Sequence, residues 1–194
     1  MKLKIRWVLL AALAAAAVVV AGCGGGEDDG GGAAPTDAAE IAPTTKGVPA
    51  ALAENRAQAN QILDEGTLDA KLAELRGHPI VVNQWASWCE PCRAEFPHFQ
   101  ETAEAHAKDI AFLGIDMQDD RDAAEDFLAE LPVPFPSIFD PTAEQISSLG
   151  GGFVSPTTVF IDARGEIVNV FQGTYATSEQ LEADIDRFLL GPEA

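Results

Sequence analysis

Apolar side chains change their spacing along this chain, and each change predicts a different element. From position 50, "AALAENRAQANQILDEG" sets Leu52, Ala59, Ile62 and Leu63 at roughly helical spacing and stops at Gly66, which predicts a helix. "LDAKLAELRG" repeats the pattern over a shorter span, with Leu68, Leu72 and Leu75 on one side. After Pro79 the pattern becomes "IVVNQW", a short apolar run typical of a buried strand. The next helix runs to about Lys108 with Phe96, Phe99 and Ala103 as its core stripe, and Pro97 is expected to kink it. "IAFLGI" at 110–115 is a second buried strand, and the acidic "DDRDAAEDFLAEL" reads as a second helix.

Strand, helix, strand, helix implies parallel pairing. "LPVPFPSIFDPTAEQISSLG" carries four prolines, a short strand and a helical turn, and reads as an inserted strand-helix element. Positions 157–161 and 167–171 are two strands joined by a tight turn through Asp162, Ala163, Arg164 and Gly165, an antiparallel hairpin. The last helix is expected to open on a capping box at Ser178 and to bury Leu181, Ile185, Phe188 and Leu189. The fold class is therefore α/β, a central mixed sheet flanked by helices, with a helical extension at the N-terminal side.

Residues 1–22 follow another logic. Lys2, Lys4 and Arg6 precede an apolar run of about 15 residues at 7–21, the layout of an export signal. That run is short for a membrane span. "VAGC" at 20–23 resembles the lipobox of bacterial lipoproteins, which implies cleavage before Cys23 and lipidation of its thiol; an uncleaved signal anchor is the alternative. The stretch 23–49 opens with six glycines in nine residues after Cys23, and has few large apolar groups. It reads as a flexible tether, spanning roughly 30 Å on average. The globular domain is placed at 50–194.

Composition adds two constraints. Over 194 residues the formal charge is -19, and loss of 1–22 with its three cations would make it -22. Such an acidic protein repels nucleic acid and anionic headgroups, and solubility is the simplest use of the charge. The cysteine count is three, so a lipidated Cys23 leaves Cys89 and Cys92 as a pair.

That pair, in "WCEPC", carries the chemistry. A strand ending before it and a helix starting on it would set Cys89 at a helix N-terminus, where the dipole and free N–H groups stabilise a thiolate. A thiolate attacks disulfides, and Cys92 one turn on can resolve the mixed disulfide. Pro91 stiffens the first turn. Glu90 opposes the dipole's effect and is expected to destabilise the thiolate, giving a disulfide that is harder to reduce. Zinc would need two more ligands, and His98 and His106 follow at C-x2-C-x5-H-x7-H, which does not match a finger. A purely structural disulfide of this span would constrain the unfolded chain little. His78, His98 and His106 are expected to be solvated, and the acid run 116–122 to be a solvated helix start.

"NQWASWCEPCRAEFP" together with "VSPTTVFIDARGEIV" resembles the TlpA/ResA-like branch of the thioredoxin superfamily, membrane-tethered extracytoplasmic thiol-disulfide oxidoreductases. The similarity runs over about 76–190 in element order. It implies a thioredoxin-like fold, Cys89 as nucleophile, Cys92 as resolving thiol, and Pro156 as a cis-proline facing them. The backbone of Ser155 would pair with an extended substrate, Trp88 would flank the dithiol, and Trp85 would pack in or near the core. No cofactor beyond the Cys89–Cys92 disulfide and no metal is expected. The implied partners are disulfide-containing proteins, among them cytochrome c precursors, and a membrane electron donor of thioredoxin-reducing type; a monomer is the expected form. Two departures stand out. Asn83 replaces the buried aspartate of thioredoxin itself, and the family's N-terminal hairpin is not visible. A thiol peroxidase of the same fold and a non-catalytic binding lipoprotein are the rival readings.

Overall fold

A computed structural model describes residues 43–152 and 154–191; the expected signal, Cys23 and the tether as far as residue 42 lie outside the described residues. In chain order the elements are α1 (Ala50–Arg56), β1 (Ile62–Leu63), α2 (Leu68–Glu74), β2 (Ile80–Trp85), α3 (Glu90–Ala105), β3 (Ala111–Met117) and α4 (Arg121–Glu130). Then come β4 (Ser137–Asp140), α5 (Glu144–Ser148), β5 (Thr157–Ile161), β6 (Ile167–Gln172) and α6 (Ser178–Ile185), which ends in a π-helical turn, Asp186–Leu190. The strands form one sheet in the order β1-β4-β3-β2-β5-β6. β2, β3 and β4 are parallel neighbours, and β5 runs antiparallel to β2 and β6. This is a thioredoxin-like sheet, and β4, the inserted strand, lies within it between β3 and β1.

Period-2 alternation sends strand side chains to two cores. Val81, Trp85, Phe112 and Phe160 join Phe96, Phe99, Phe127, Leu181 and Ile185 from α3, α4 and α6. Ile80, Val82, Leu113, Ile115 and Val159 join Leu52, Leu68, Leu75 and Ile146 from the α1, α2 and α5 side. Trp85 anchors the first core: its ring lies 4.9 Å from Phe127 and 5.3 Å from Phe96, and its Nε1 donates to Ser137 Oγ at 3.0 Å. Gly114 makes that approach possible, because a Cβ there would collide with Ser137 Oγ and lie 2.8 Å from Trp85 Nε1. α3 continues unbroken through Pro97.

Two local expectations are corrected. The helix from position 50 ends at Arg56, and Ile62 and Leu63 become a strand parallel to β4. Asn60 redirects the chain: it adopts φ 61°, its Nδ2 donates to Leu128 O, and its Oδ1 accepts from Val133 N–H. Asparagine tolerates this left-handed conformation, which ends a helix. The α6 cap also sits one residue earlier than expected. Thr177 accepts from Gln180 N–H, and Gln180 Oε1 accepts from Ala176 N–H. Ser178 Oγ instead donates to Glu101 Oε2 at 2.6 Å and meets His98 Nδ1 at 3.4 Å, tying α6 to α3.

Candidate active site

β2 stops at Trp85, and a three-residue loop carries the chain to Cys89, the N-cap of α3. Cys89 has extended backbone angles, φ -90° and ψ 98°, so its side chain turns back over the first helical turn. Its Sγ accepts from Cys92 N–H at 3.3 Å, and the two cysteines are joined by a disulfide with Cα atoms 5.3 Å apart. Cys89 is 4% exposed and Cys92 fully buried, so one sulfur lies nearer solvent than the other. Pro91 occupies the first turn, where its missing N–H leaves no intrahelical bond unmade. Glu90 is exposed at the same turn. Such placement at a helix N-terminus can stabilise a thiolate when the disulfide opens.

The second strand of the site is β5. Its pairing of Thr157 with Gln84 brings Pro156 to the same end of the sheet as the loop to Cys89. The Ser155–Pro156 bond is cis, Pro156 is buried and Ser155 half-buried. Each of the two loops at this edge exposes a large apolar side chain, Trp88 at 59% and Val154 at 48%. Trp88 is held by its Nε1, which donates to Gln118 O at 3.1 Å.

Beneath the dithiol lies a group that the sequence reading missed. Glu95, one helical turn beyond Cys92, is fully buried on the same side of α3. Asn83 Nδ2 donates to Glu95 Oε1 at 2.8 Å, and Tyr175 N–H donates to Oε2 at 3.0 Å. Burial pushes the Glu95 carboxyl up to about 7, against those two hydrogen bonds, which pull it down. Asn83 thus orients an ionisable acid supplied by the helix, where none stands on the strand. The signal was in the pattern: Glu95 is the one ionisable side chain on the buried face running through Cys92, Phe96, Phe99, Thr102 and Ala103.

The loop before Cys89 has its own support. Asp119 accepts from both Ser87 N–H and Ser87 Oγ, the latter at 2.8 Å. Behind it, Asp116 is fully buried in β3, which corrects the expectation of a solvated acid run. Burial first, and then repulsion from Asp119, push Asp116 up to about 9. It therefore carries a proton at neutral pH. Only the later part of the run behaves as expected, with Asp120 capping α4 through Asp122 N–H and Ala123 N–H. Among the described residues no three His, Cys, Asp or Glu side chains gather as metal ligands.

A family model described as Redoxin matches residues 49–186. The chain belongs to the Redoxin family. Within curated proteins this redoxin is 32% identical over 126 residues to the thiol-disulfide oxidoreductase ResA of Oceanobacillus iheyensis, a match covering 64% of each chain. It is 38% identical over 101 residues to the thiol:disulfide interchange protein DsbE of Pseudomonas fluorescens, covering 52% of this chain and 55% of that one. These matches thus span less than two thirds of either relative. Among solved structures, a secreted thiol-disulfide isomerase from Corynebacterium glutamicum is 33% identical, with a TM-score of 0.53 over 61% of this chain and 73% of that one.

Proposed function

We propose that this redoxin is an extracytoplasmic, membrane-anchored thiol-disulfide oxidoreductase that reduces disulfides in exported proteins. The observation that carries the reading is the Cys89–Cys92 disulfide at the start of α3, with the Cys92 N–H on Cys89 Sγ. In the reduced protein, the Cys89 thiolate attacks one sulfur of a substrate disulfide. A mixed disulfide forms and one substrate thiolate leaves. Cys92 passes its proton to Glu95 and attacks Cys89 Sγ, which closes Cys89–Cys92 and releases the second substrate thiolate. Two electrons have then moved from the protein to the substrate, and a membrane donor of thioredoxin-reducing type restores the dithiol.

Beside Pro156 the backbone of Ser155 pairs with the substrate, Trp88 flanks the dithiol, and Glu90 and Pro91 tune the first turn. Lipidation of Cys23 would hold the domain at the membrane through the 23–49 tether. The names ResA and DsbE support the chemistry, and the secreted neighbour supports the compartment. By the TlpA/ResA-like resemblance the substrates include the haem-binding cysteines of cytochrome c precursors. Insulin reduction with dithiothreitol as electron source tests the activity. Turnover that disappears in Cys89→Ser is expected; an inert wild type with an intact, accessible disulfide would favour a binding role instead.

A further inference from the structure

Gln84 lies with Ile80 and Val82 on the face of β2 opposite Asn83 and Glu95, and its side chain reaches the segment before β5. It is completely buried, yet its amide serves neither the strand ladder nor the cysteine sulfurs. Its Nε2 lies 3.1 Å from Gly152 O, 3.1 Å from Val154 O and 2.8 Å from Ser155 Oγ, with Met117 Sδ at 3.2 Å. Two N–H bonds are thus shared among three oxygens of the chain that leads into Pro156. The amide's orientation is fixed by this company, since the reverse would set Oε1 against two carbonyl oxygens. Thr157 Oγ1 adds a bond to Val154 O at 2.6 Å, so Val154 is held from both sides.

This spends a buried polar side chain, in a strand whose other inward positions are mostly apolar, on fixing main chain outside any strand. A hydrocarbon at position 84 would fill the same space and leave the Gly152 carbonyl without this donor. The segment so held ends at Ser155 and exposes Val154, beside the loop that exposes Trp88. An extended polypeptide laid across these two loops needs them fixed relative to each other; a small disulfide that reaches only Cys89 does not.

We propose that Gln84 is a positioning residue for polypeptide substrates, setting recognition of protein disulfides through Gly152, Val154 and Ser155 without acting on the sulfur chemistry. The proposal rests on the oxidoreductase reading above. Its test compares wild type with Gln84→Met, which keeps length and loses both donors, using insulin and the small disulfide DTNB. Loss of a buried donor predicts a fall of about tenfold in kcat/KM for insulin, carried by KM, and a change of less than about twofold with DTNB. The reduction potential of Cys89–Cys92 is expected to match wild type. Equal losses with both disulfides, or none with either, in a background where wild type reduces insulin, would overturn the proposal alone. A wild type inert toward insulin would remove the oxidoreductase reading and the proposal with it. Should Gln84→Met fail to fold, Gln84→Leu carries the same comparison, because it is apolar like Ile80 and Val82 on the same strand face and has no donor.

Discussion

Replacing Glu95 with glutamine leaves the shape of the buried acid and removes its proton. In the structure the carboxyl is held near 7, against 4.5 for an ordinary glutamate. Moving a proton to it from a thiol near 8.5 is uphill by about 2 kcal/mol, whereas an unperturbed glutamate would make the same step about 5 kcal/mol uphill. Burial therefore makes Glu95 a usable base for Cys92 and leaves it mostly ionised in mildly alkaline solution. A positioned base contributes about 100-fold at the low end of its usual range. One equivalent of DTNB added to the reduced protein separates the two steps: the first thionitrobenzoate released reports attack by Cys89, the second reports resolution by Cys92. Glu95→Gln is expected to slow the second phase by about 10- to 100-fold at pH about 8 and to leave the first within about threefold. In wild type the second phase should rise with pH through about 7, as Glu95 loses its proton, and that inflection should vanish in the variant. A second phase of normal rate with the inflection intact would refute the assignment, since the titrating group would then be another one. The glutamine amide also keeps an acceptor for one of its two donors, Asn83 Nδ2 or Tyr175 N–H, and not for both, so a general loss of stability of about 1–2 kcal/mol is expected and would not by itself slow only one phase.

Asp116 yields a stability prediction. Its folded carboxyl is raised from 3.8 to about 9, so the folded chain holds a proton that the unfolded chain releases; the stabilisation is complete below about 4 and falls by about 1.4 kcal/mol per pH unit until about 9. Asp119, Asp140 and Arg121 face the group, the first two raising and the last lowering it. Urea unfolding of Asp116→Asn should show that slope removed between pH about 5 and 8, and curves parallel to wild type would contradict it. Glu90→His should raise the reduction potential of Cys89–Cys92, measured against glutathione, by replacing an acid with a base at the helix start; the effect is small because Glu90 is exposed and solvent-screened, about 10–30 mV. No rise would remove Glu90 as a tuning residue.

The strands and long helices were legible because their apolar periods are clean: β2, β3 and β5 are buried at every position, and α3 shows its stripe from Phe96 to Ala103. The Cys89–Cys92 pair was legible from the C-x-x-C spacing together with the absence of further zinc ligands, and the cis bond before Pro156 from resemblance. The shift from α1 to β1 was not, since Ile62 and Leu63 suit either period and the deciding contacts of Asn60 come from Leu128 and Val133, about 70 residues away. Asp116 looked like the first residue of an acidic loop because its neighbours in sequence, Gln118 to Asp122, are polar; its burial comes from β2 and β4 on either side. Asn83 drew attention as a missing acid, and only the packing of α3 on β2 shows that Glu95 supplies one.

The central claim is a division of labour between Cys89 and Cys92, and trapping mixed disulfides measures it most directly. Each cysteine is changed singly to serine, the proteins are exposed to oxidised substrate proteins, thiols are alkylated at once, and the adducts are identified by mass spectrometry. Cys92→Ser should accumulate substrate on Cys89, because the attack proceeds and the resolving thiol is gone; Cys89→Ser should accumulate almost none. Adducts persisting equally on both variants, or on neither, would contradict the account.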